Sequence, residues 1–260
     1  MVSLNGKTVL ITGASSGIGA ACAHAFAGLD ARLLLAARRL ERLEKLATEI
    51  YALHGVEVRT LQLDVRDQPA VEAAINSLPA AWATLDILVN NAGLSRGLDK
   101  LHEGKLADWE EMIDTNVKGL LYVSRAVIPG MVARRRGHVI NIGSIAGHQV
   151  YPSGNVYSAT KHAVAALTQG MRMDLLGTDV RVSTVDPGMV ETEFSQVRFH
   201  GDEARAAKVY QGLTPLTPDD VADAVVYCAT RPAHVNINEI IIMPTAQATA
   251  TMAVRAPGKA

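Results

Sequence analysis

"TVLITGASSGIG", residues 8–19, decides the fold. An apolar, β-branched run over 8–12 enters a turn carrying Gly13, Gly17 and Gly19, and a helical pattern follows over 17–28. A strand that passes through a glycine-rich turn into a helix lets backbone amides approach a pyrophosphate near the helix N-terminus. Ser15, Ser16 and Ile18 complete that candidate cradle. Tight strand–helix turns without a ligand also use glycine, so the surroundings must carry the reading.

They do. Working outward, apolar runs of strand length recur at 32–37, 56–63, 86–90, 138–142, 180–185 and 239–243. Helical patterns separate them, near 40–53, 68–78, 108–135, 155–176, 203–212 and 218–230. Continuous apolar strands alternating with helices predict a parallel sheet covered on both faces. The expected fold is a single-domain α/β, Rossmann-like, doubly wound parallel sheet of about seven strands. One domain is expected over 1–245, with a substrate lid at about 189–215 and a C-terminal tail over 246–260, either loose or an arm on a neighbouring subunit. Asp108 with Glu111 reads as a capping box, and Thr217-Pro218-Asp219-Asp220 reads as a capped helix start.

Composition narrows the function. The 260 residues are 48% hydrophobic and 20% charged with a formal net charge of −1, so neither a nucleic-acid surface nor an anionic membrane is an expected partner. The run Arg134-Arg135-Arg136 precedes Gly137, where cations suit a helix C-terminus. Cys22 and Cys228 lie in apolar surroundings and read as two buried thiols of a reducing compartment. With no secretory layout in "MVSLNGKTVLITG" and no apolar run of membrane length, a cytoplasmic location is expected. No His, Asp or Glu grouping has metal-ligand spacing, so no metal site is expected.

The end of the second strand selects the cofactor. An NAD site commonly carries an acid there for the ribose 2′-hydroxyl, but this chain has Ala37-Arg38-Arg39. Two guanidiniums suit a 2′-phosphate, which predicts NADP(H), unless they are simply solvated at a helix start. Asp64 and Val65 end the third strand, where adenine would lie, and Asn91, Ala92 and Gly93 end the fourth, near a cofactor ribose. Asn90 is either a ligand contact or a structural residue holding the sheet edge.

Ser144 stands just past the fifth strand, and "NVYSATKHA" (155–163) carries Tyr157 and Lys161 one helical turn apart on the same face. Asn116 interrupts the preceding helical stretch, where its amide competes for backbone and suggests a water-binding kink. A free phenol with pKa about 10 is a poor base near neutrality. A cation about 4 Å away at an effective dielectric of 20 supplies about 4 kcal/mol, enough to lower it by about three units. On that arithmetic Lys161 nearly suffices to activate Tyr157.

Together the glycine turn, Asn-Asn-Ala-Gly, the serine and Tyr-x-x-x-Lys, in this order and across nearly the whole chain, resemble the short-chain dehydrogenase/reductase family. The resemblance implies an enzyme of the NADP-dependent type acting on CH–OH groups. Tyr157 would be the acid/base and Ser144 would orient the substrate carbonyl; Lys161 would hold the nicotinamide ribose, and Asn116 would position water in a proton relay. Pro187, Gly188, Val190 and Thr192 resemble the segment closing over the carboxamide, and Tyr157 and Lys161 count among the cofactor contacts. Family tetramers imply a homotetramer, or a dimer, packed on the helices near 108–135 and 155–176.

"TEFSQVRF" (192–199), "PAHVNIN" (232–238) and "PTAQ" (244–247) are similar to the branch of NADP-dependent 3-hydroxy acid dehydrogenases, which act on serine, allo-threonine and malonic semialdehyde. A small carboxylate substrate wants a guanidinium, and Arg198 or Arg96 could supply it; His148, Gln149 and Tyr151 could line the same pocket. The alternatives are a reductase of a bulkier ketone or aldehyde and a non-catalytic NADP-sensing regulator. An epimerase or dehydratase would need a large C-terminal substrate domain, and a hydrolase on Ser144 lacks the Gly-x-Ser-x-Gly elbow.

Overall fold

The strand at residues 8–12 is the centre of the molecule. In a computed structural model of the chain, which describes residues 3–256, β1 (Thr8–Thr12) is buried along its whole length. It lies between β2 (Arg32–Ala37) and a strand that follows β3 (Val58–Gln62) in the chain, β4 (Ile87–Asn90). With β5 (Gly137–Ile142), β6 (Val180–Pro187) and β7 (Glu239–Ile242) they form one seven-stranded sheet in the order β3-β2-β1-β4-β5-β6-β7. Every pairing is parallel. The order reverses between β1 and β4, which opens a crevice at the carboxyl ends of those strands.

The helices in chain order are α1 (Gly17–Ala27), α2 (Leu40–His54), α3 (Gln68–Asn76), α4 (Leu106–Ile113) and α5 (Leu120–Ala133). After them come α6 (Asn155–Asp174), α7 (Phe194–Arg198), α8 (Glu203–Tyr210) and α9 (Pro218–Ala229). Side chains of the central strands alternate between two cores. Val9, Ile11, Leu33 and Leu35 pack with Phe26, Leu43, Ile50 and Val225 on one face. Leu10 and Leu34 pack with Val71, Val127 and Met131 on the other. Burial on both faces explains why these strands are continuously apolar rather than alternating.

Asn90 is structural: its Nδ2 donates to Ser124 Oγ at 3.0 Å and Asn141 Oδ1 at 2.9 Å, and Asn141 Nδ2 donates to Thr168 Oγ1 at 2.8 Å. This buried chain pins β4 and β5 to α5 and α6. Cys22 and Cys228 are free thiols buried in the first core, and burial pushes Cys22 up to about 12. No helix among the described residues is long and apolar enough to cross a membrane. The three consecutive arginines close α5, with Arg134 bonded to the Leu85 carbonyl, Arg135 to Asp179 and Arg136 to Asp86.

Two expectations are corrected. The helix read over 108–135 is two α-helices joined by a π-helical segment, Asp114–Gly119, with Asn116 inside it. The Asp108–Glu111 box does not form. The helix begins at Leu106 after Lys105, Asp108 is buried against His200 Nε2 at 3.2 Å, and Glu111 pairs with Arg96. By contrast, Thr217 and Asp220 form the expected reciprocal box with Pro218 in the first turn. The lid contains an additional short helix, α7.

The tail is neither loose nor separable at 245. Gln247 is buried and its Oε1 accepts from Met189 N at 2.8 Å. Arg255 donates to the carbonyls of Gln211 and Val209 at the end of α8, and Ala250 N donates to Gln149 Oε1. Residues 257–260 of the predicted tail lie outside the described residues.

Candidate active site

At the glycine turn the geometry has little tolerance. Gly13 has φ +64°, in the left-handed region, and a Cβ added at Gly19 would meet Asn91 Nδ2 and Gly13 O at 2.5 Å. Thr12 Oγ1 accepts from the amides of Asn91 and Ala92, both at 3.1 Å, and Asn91 Nδ2 donates to the carbonyls of Thr12 and Gly13. The ends of β1 and β4 are thus laced together, so Asn91 offers a ligand little of its side-chain amide. The resulting cradle, with Ser15, Ser16, Gly17 and Ile18 on its rim, has the close backbone approach that a dinucleotide pyrophosphate requires.

Arg39 lies across this rim. Its Nη2 donates to Ser15 Oγ at 3.0 Å and Ser16 Oγ at 2.8 Å, and its Nη1 pairs with Glu193 at 3.0 Å. Arg38 is half-exposed on the same cavity wall, 3.9 Å from Glu111. Asp64 is on the wall with Val65, and its carboxyl is held below the usual range by its hydrogen bonds with Arg66, at 2.6 Å for the nearest pair. Nothing local in the sequence marks Glu193, whose partner Arg39 is distant in the chain, whereas Arg66 sits two residues from Asp64.

A cavity of about 520 Å³ runs from this rim past Gly93 to Ser144, Tyr157 and Lys161, with Pro187, Gly188, Val190 and Thr192 along one side. Asn116 lies behind the wall rather than on it. Its Oδ1 accepts from Leu94 N at 2.8 Å, while Nδ2 donates to Leu94 O at 2.8 Å and Thr160 Oγ1 at 3.0 Å. Its side chain is fully engaged, and the kink it creates is the π-helical segment. Ser144 Oγ accepts from Ala146 N at 3.1 Å and lies beside the Tyr157 phenol.

Tyr157 and Lys161 share one face of α6, and Lys161 Nζ stands 5.9 Å from the Tyr157 ring centroid. The ammonium donates to the Ile142 carbonyl at 2.8 Å. Burial lowers it to about 8, opposed by the Asp186 carboxylate. Burial also pushes the Tyr157 phenol above its ordinary value; Tyr151 adds to the rise, and Arg198 and Ser144 oppose it. In the protein alone burial outweighs these opposing groups; the expectation that Lys161, with oxidised nicotinamide adding to it, lowers the phenol concerns the cofactor-bound site.

Arg198 dominates the far end. Its guanidinium carbon lies 4.9 Å from the Phe194 ring centroid, 5.4 Å from Tyr157 and 5.9 Å from Tyr151. Nη2 donates to Tyr151 Oη at 3.0 Å, whereas Nε is buried with no hydrogen-bond partner. Phe194 packs edge-on against Tyr157 at 5.5 Å. Tyr210 and the tail residues Gln247 and Ala250 complete the wall. Tyr151, Tyr157 and Arg198 are expected here from the sequence, whereas Tyr210 and Ala250 carry no local signal for this wall.

Three candidates leave the pocket: Arg96, His148 and Gln149, whose Oε1 accepts from Ala250 N. Arg96 is spent on Glu111 and the Val197 carbonyl. His148 turns away to a triad, with Nε2 2.9 Å from Asp186 and 3.3 Å from Glu239. The three potential ligand atoms lie within 4.8 Å of one another, a grouping that sequence spacing did not reveal because it joins the loop after β5 to β6 and β7.

Comparison with known proteins places this geometry. The family model described as short chain dehydrogenase matches residues 7–203. The NADP-dependent 3-hydroxy acid dehydrogenase YdfG of Salmonella typhi is 51% identical over 247 residues, covering 95% of this chain and 98% of that protein. The NADP-dependent 3-hydroxy acid dehydrogenase of Schizosaccharomyces pombe is 43% identical over 256 residues, covering 98% of this chain and 99% of that one. The closed form of serine dehydrogenase complexed with NADP+ superposes with a TM-score of 0.89 at 47% identity, covering 96% of this chain and all of that one. On these likenesses this chain belongs to the short chain dehydrogenase family.

Proposed function

We propose that the chain is an NADP(H)-dependent dehydrogenase acting on a small, serine-like 3-hydroxy acid and its 3-oxo acid or semialdehyde. The observation that carries the substrate class is Arg198: a guanidinium with a buried, unpartnered Nε beside the ring of Tyr157 suits a carboxylate held next to the reacting carbon. The names of the relatives agree with this reading.

The cofactor fits the residues present. Gly13 and Gly17, with Gly19 behind them, would let backbone approach a pyrophosphate, Arg38 and Arg39 would hold a 2′-phosphate, and Asp64 and Val65 would border an adenine. Ala92 and Gly93 border a ribose, and Pro187 to Thr192 flank the carboxamide. When bound, NADP(H) supplies or accepts the hydride. Tyr157 gives its phenolic proton to the developing alkoxide in reduction and recovers it in oxidation. Ser144 donates to the same oxygen and orients it. Lys161, whose ammonium donates to the Ile142 carbonyl, would hold a ribose hydroxyl of the bound cofactor.

We place the enzyme in the cytoplasm as a homotetramer. Exposed Leu106, Ile113 and Leu121 along α4 and α5, and Met173 and Leu176 at the end of α6, support packing on those helices.

Steady-state kinetics test the substrate reading. With NADP+, kcat/KM for serine and related 3-hydroxy acids is expected to exceed that for uncharged secondary alcohols of equal size, and NAD+ is expected to serve poorly. Preference for a bulky uncharged ketone under NADPH would favour the alternative reductase instead. Cofactor binding with no turnover of any carbonyl would favour a sensing role.

A further inference from the structure

The loop that carries Ser144 ends in a cluster of side chains outside the pocket. Ser144 caps the short 3₁₀ turn Ile145–Gly147, and His148 follows directly. His148 Nε2 lies 2.9 Å from Asp186 Oδ2 and 3.3 Å from Glu239 Oε1. The sheet dictates this meeting. Thr184 and Asp186 are two apart in β6 and so share a face. Glu239 pairs with Thr184 in the parallel register of β6 and β7, which puts its side chain on that same face.

An ordinary ion pair accounts for only part of the cluster. One imidazole nitrogen carries at most one hydrogen, so Nε2 cannot donate well to both carboxylates. Two carboxylates in one place also repel, and a cation among the three side chains would satisfy every donor atom. The spacing suits a metal ion: donors about 2.1 Å from it stand about 3.0 Å apart in octahedral geometry and about 3.4 Å apart in tetrahedral geometry. The supporting parts of such a site are present. Asp186 is buried, and its second oxygen, Oδ1, accepts from Thr184 Oγ1 at 2.7 Å, which fixes the direction of the carboxylate. His148 and Glu239 keep 25% and 41% of their side chains exposed, which provides an entry path and room for water ligands. An imidazole in the donor set favours Zn2+ and its first-row neighbours over Mg2+ and Ca2+, which take oxygen donors.

We propose that His148 Nε2, Asp186 Oδ2 and Glu239 Oε1 form a binding site for one divalent first-row transition ion, represented by Zn2+. The ion joins the loop after Ser144 to the last two strands of the sheet. Gly147 of that loop packs on the Lys161 backbone, where an added Cβ would meet the carbonyl at 2.8 Å, so the clamp reaches the helix that carries Tyr157. Its role is structural, and the site stands independently of the substrate and cofactor readings above.

The test is calorimetric titration of Zn2+ into the full chain after EDTA treatment, with Mg2+ in large excess, for wild type, His148→Ala and Glu239→Gln. Circular dichroism serves as the folding control. The wild type should take up a single equivalent of Zn2+ with a micromolar or tighter Kd, and each variant should bind it at least about tenfold more weakly. Saturating Zn2+ should raise the wild-type Tm by roughly 5 °C and leave that of His148→Ala unmoved. No Zn2+ uptake by the wild type, uptake that Mg2+ abolishes, or uptake unchanged in either folded variant would overturn the site and leave a histidine–carboxylate ion pair in its place. If His148→Ala does not fold, Glu239→Gln, at the most exposed of the three side chains, decides by the same titration.

Discussion

The Arg198 guanidinium lies over the ring of Tyr157, 5.4 Å from its centroid, so the cation of the lid and the proposed acid/base address one small volume. Arg198 reaches this place through α7, whose Phe194 also packs on that ring. Its position ties substrate charge to chemistry: a carboxylate captured by Arg198 brings the neighbouring carbons to Tyr157.

Tyr157→Phe removes the transferable proton and leaves the ring packing against Phe194 in place. It should lower kcat by about a hundredfold to ten-thousandfold. NADPH affinity, measured by fluorescence titration, should change little, because the phenylalanine keeps the wall of the cavity.

The pH profile of carbonyl reduction should fall above about 8. Burial holds the Lys161 ammonium to about 8, so its charge is present below that pH and lost above it. Raised by the same burial, the Tyr157 phenol keeps its proton through neutrality and stays competent as an acid there. A reduction rate that climbs between pH 8 and 9 would contradict this assignment.

Gly143 lies directly against the Asp186 carboxylate, with Thr184 Oγ1 beside it. Gly143→Ala must displace a buried carboxylate that accepts from Thr184 Oγ1 at 2.7 Å and from His148 Nε2 at 2.9 Å. A loss of about 1–3 kcal/mol in denaturant unfolding is expected.

Truncation after residue 245 should leave the sheet folded and damage the pocket. It removes Gln247 from Met189 N and Arg255 from the end of α8. A raised KM for the hydroxy acid, with circular dichroism close to the full chain's, is the expected outcome.

The features legible in the sequence are those fixed by local chemistry. The glycine turn follows from backbone approach, Tyr157 and Lys161 share a face because they are four apart, and Thr217 caps its helix from three residues away. Side chains whose partners are distant were not legible. Asp108 looks like a cap but is claimed by His200, His148 is drawn off by Asp186 and Glu239, and Glu193 finds Arg39 across the cavity. The direction in which the phenol shifts was also hidden, since Coulomb arithmetic on a sequence counts the cation and omits the burial. Gln247 became part of the pocket only because the tail folds back on its own lid.

Arg198 is proposed to hold the substrate carboxylate beside Tyr157. The most direct test compares wild type with Arg198→Ala in NADP+-dependent oxidation of serine and of an uncharged secondary alcohol of similar size. A fall of roughly tenfold to a hundredfold in kcat/KM for serine, the worth of a charge-assisted hydrogen bond, is expected, with the alcohol nearly unaffected. Unchanged kcat/KM for serine, or an equal loss for both substrates, would contradict it.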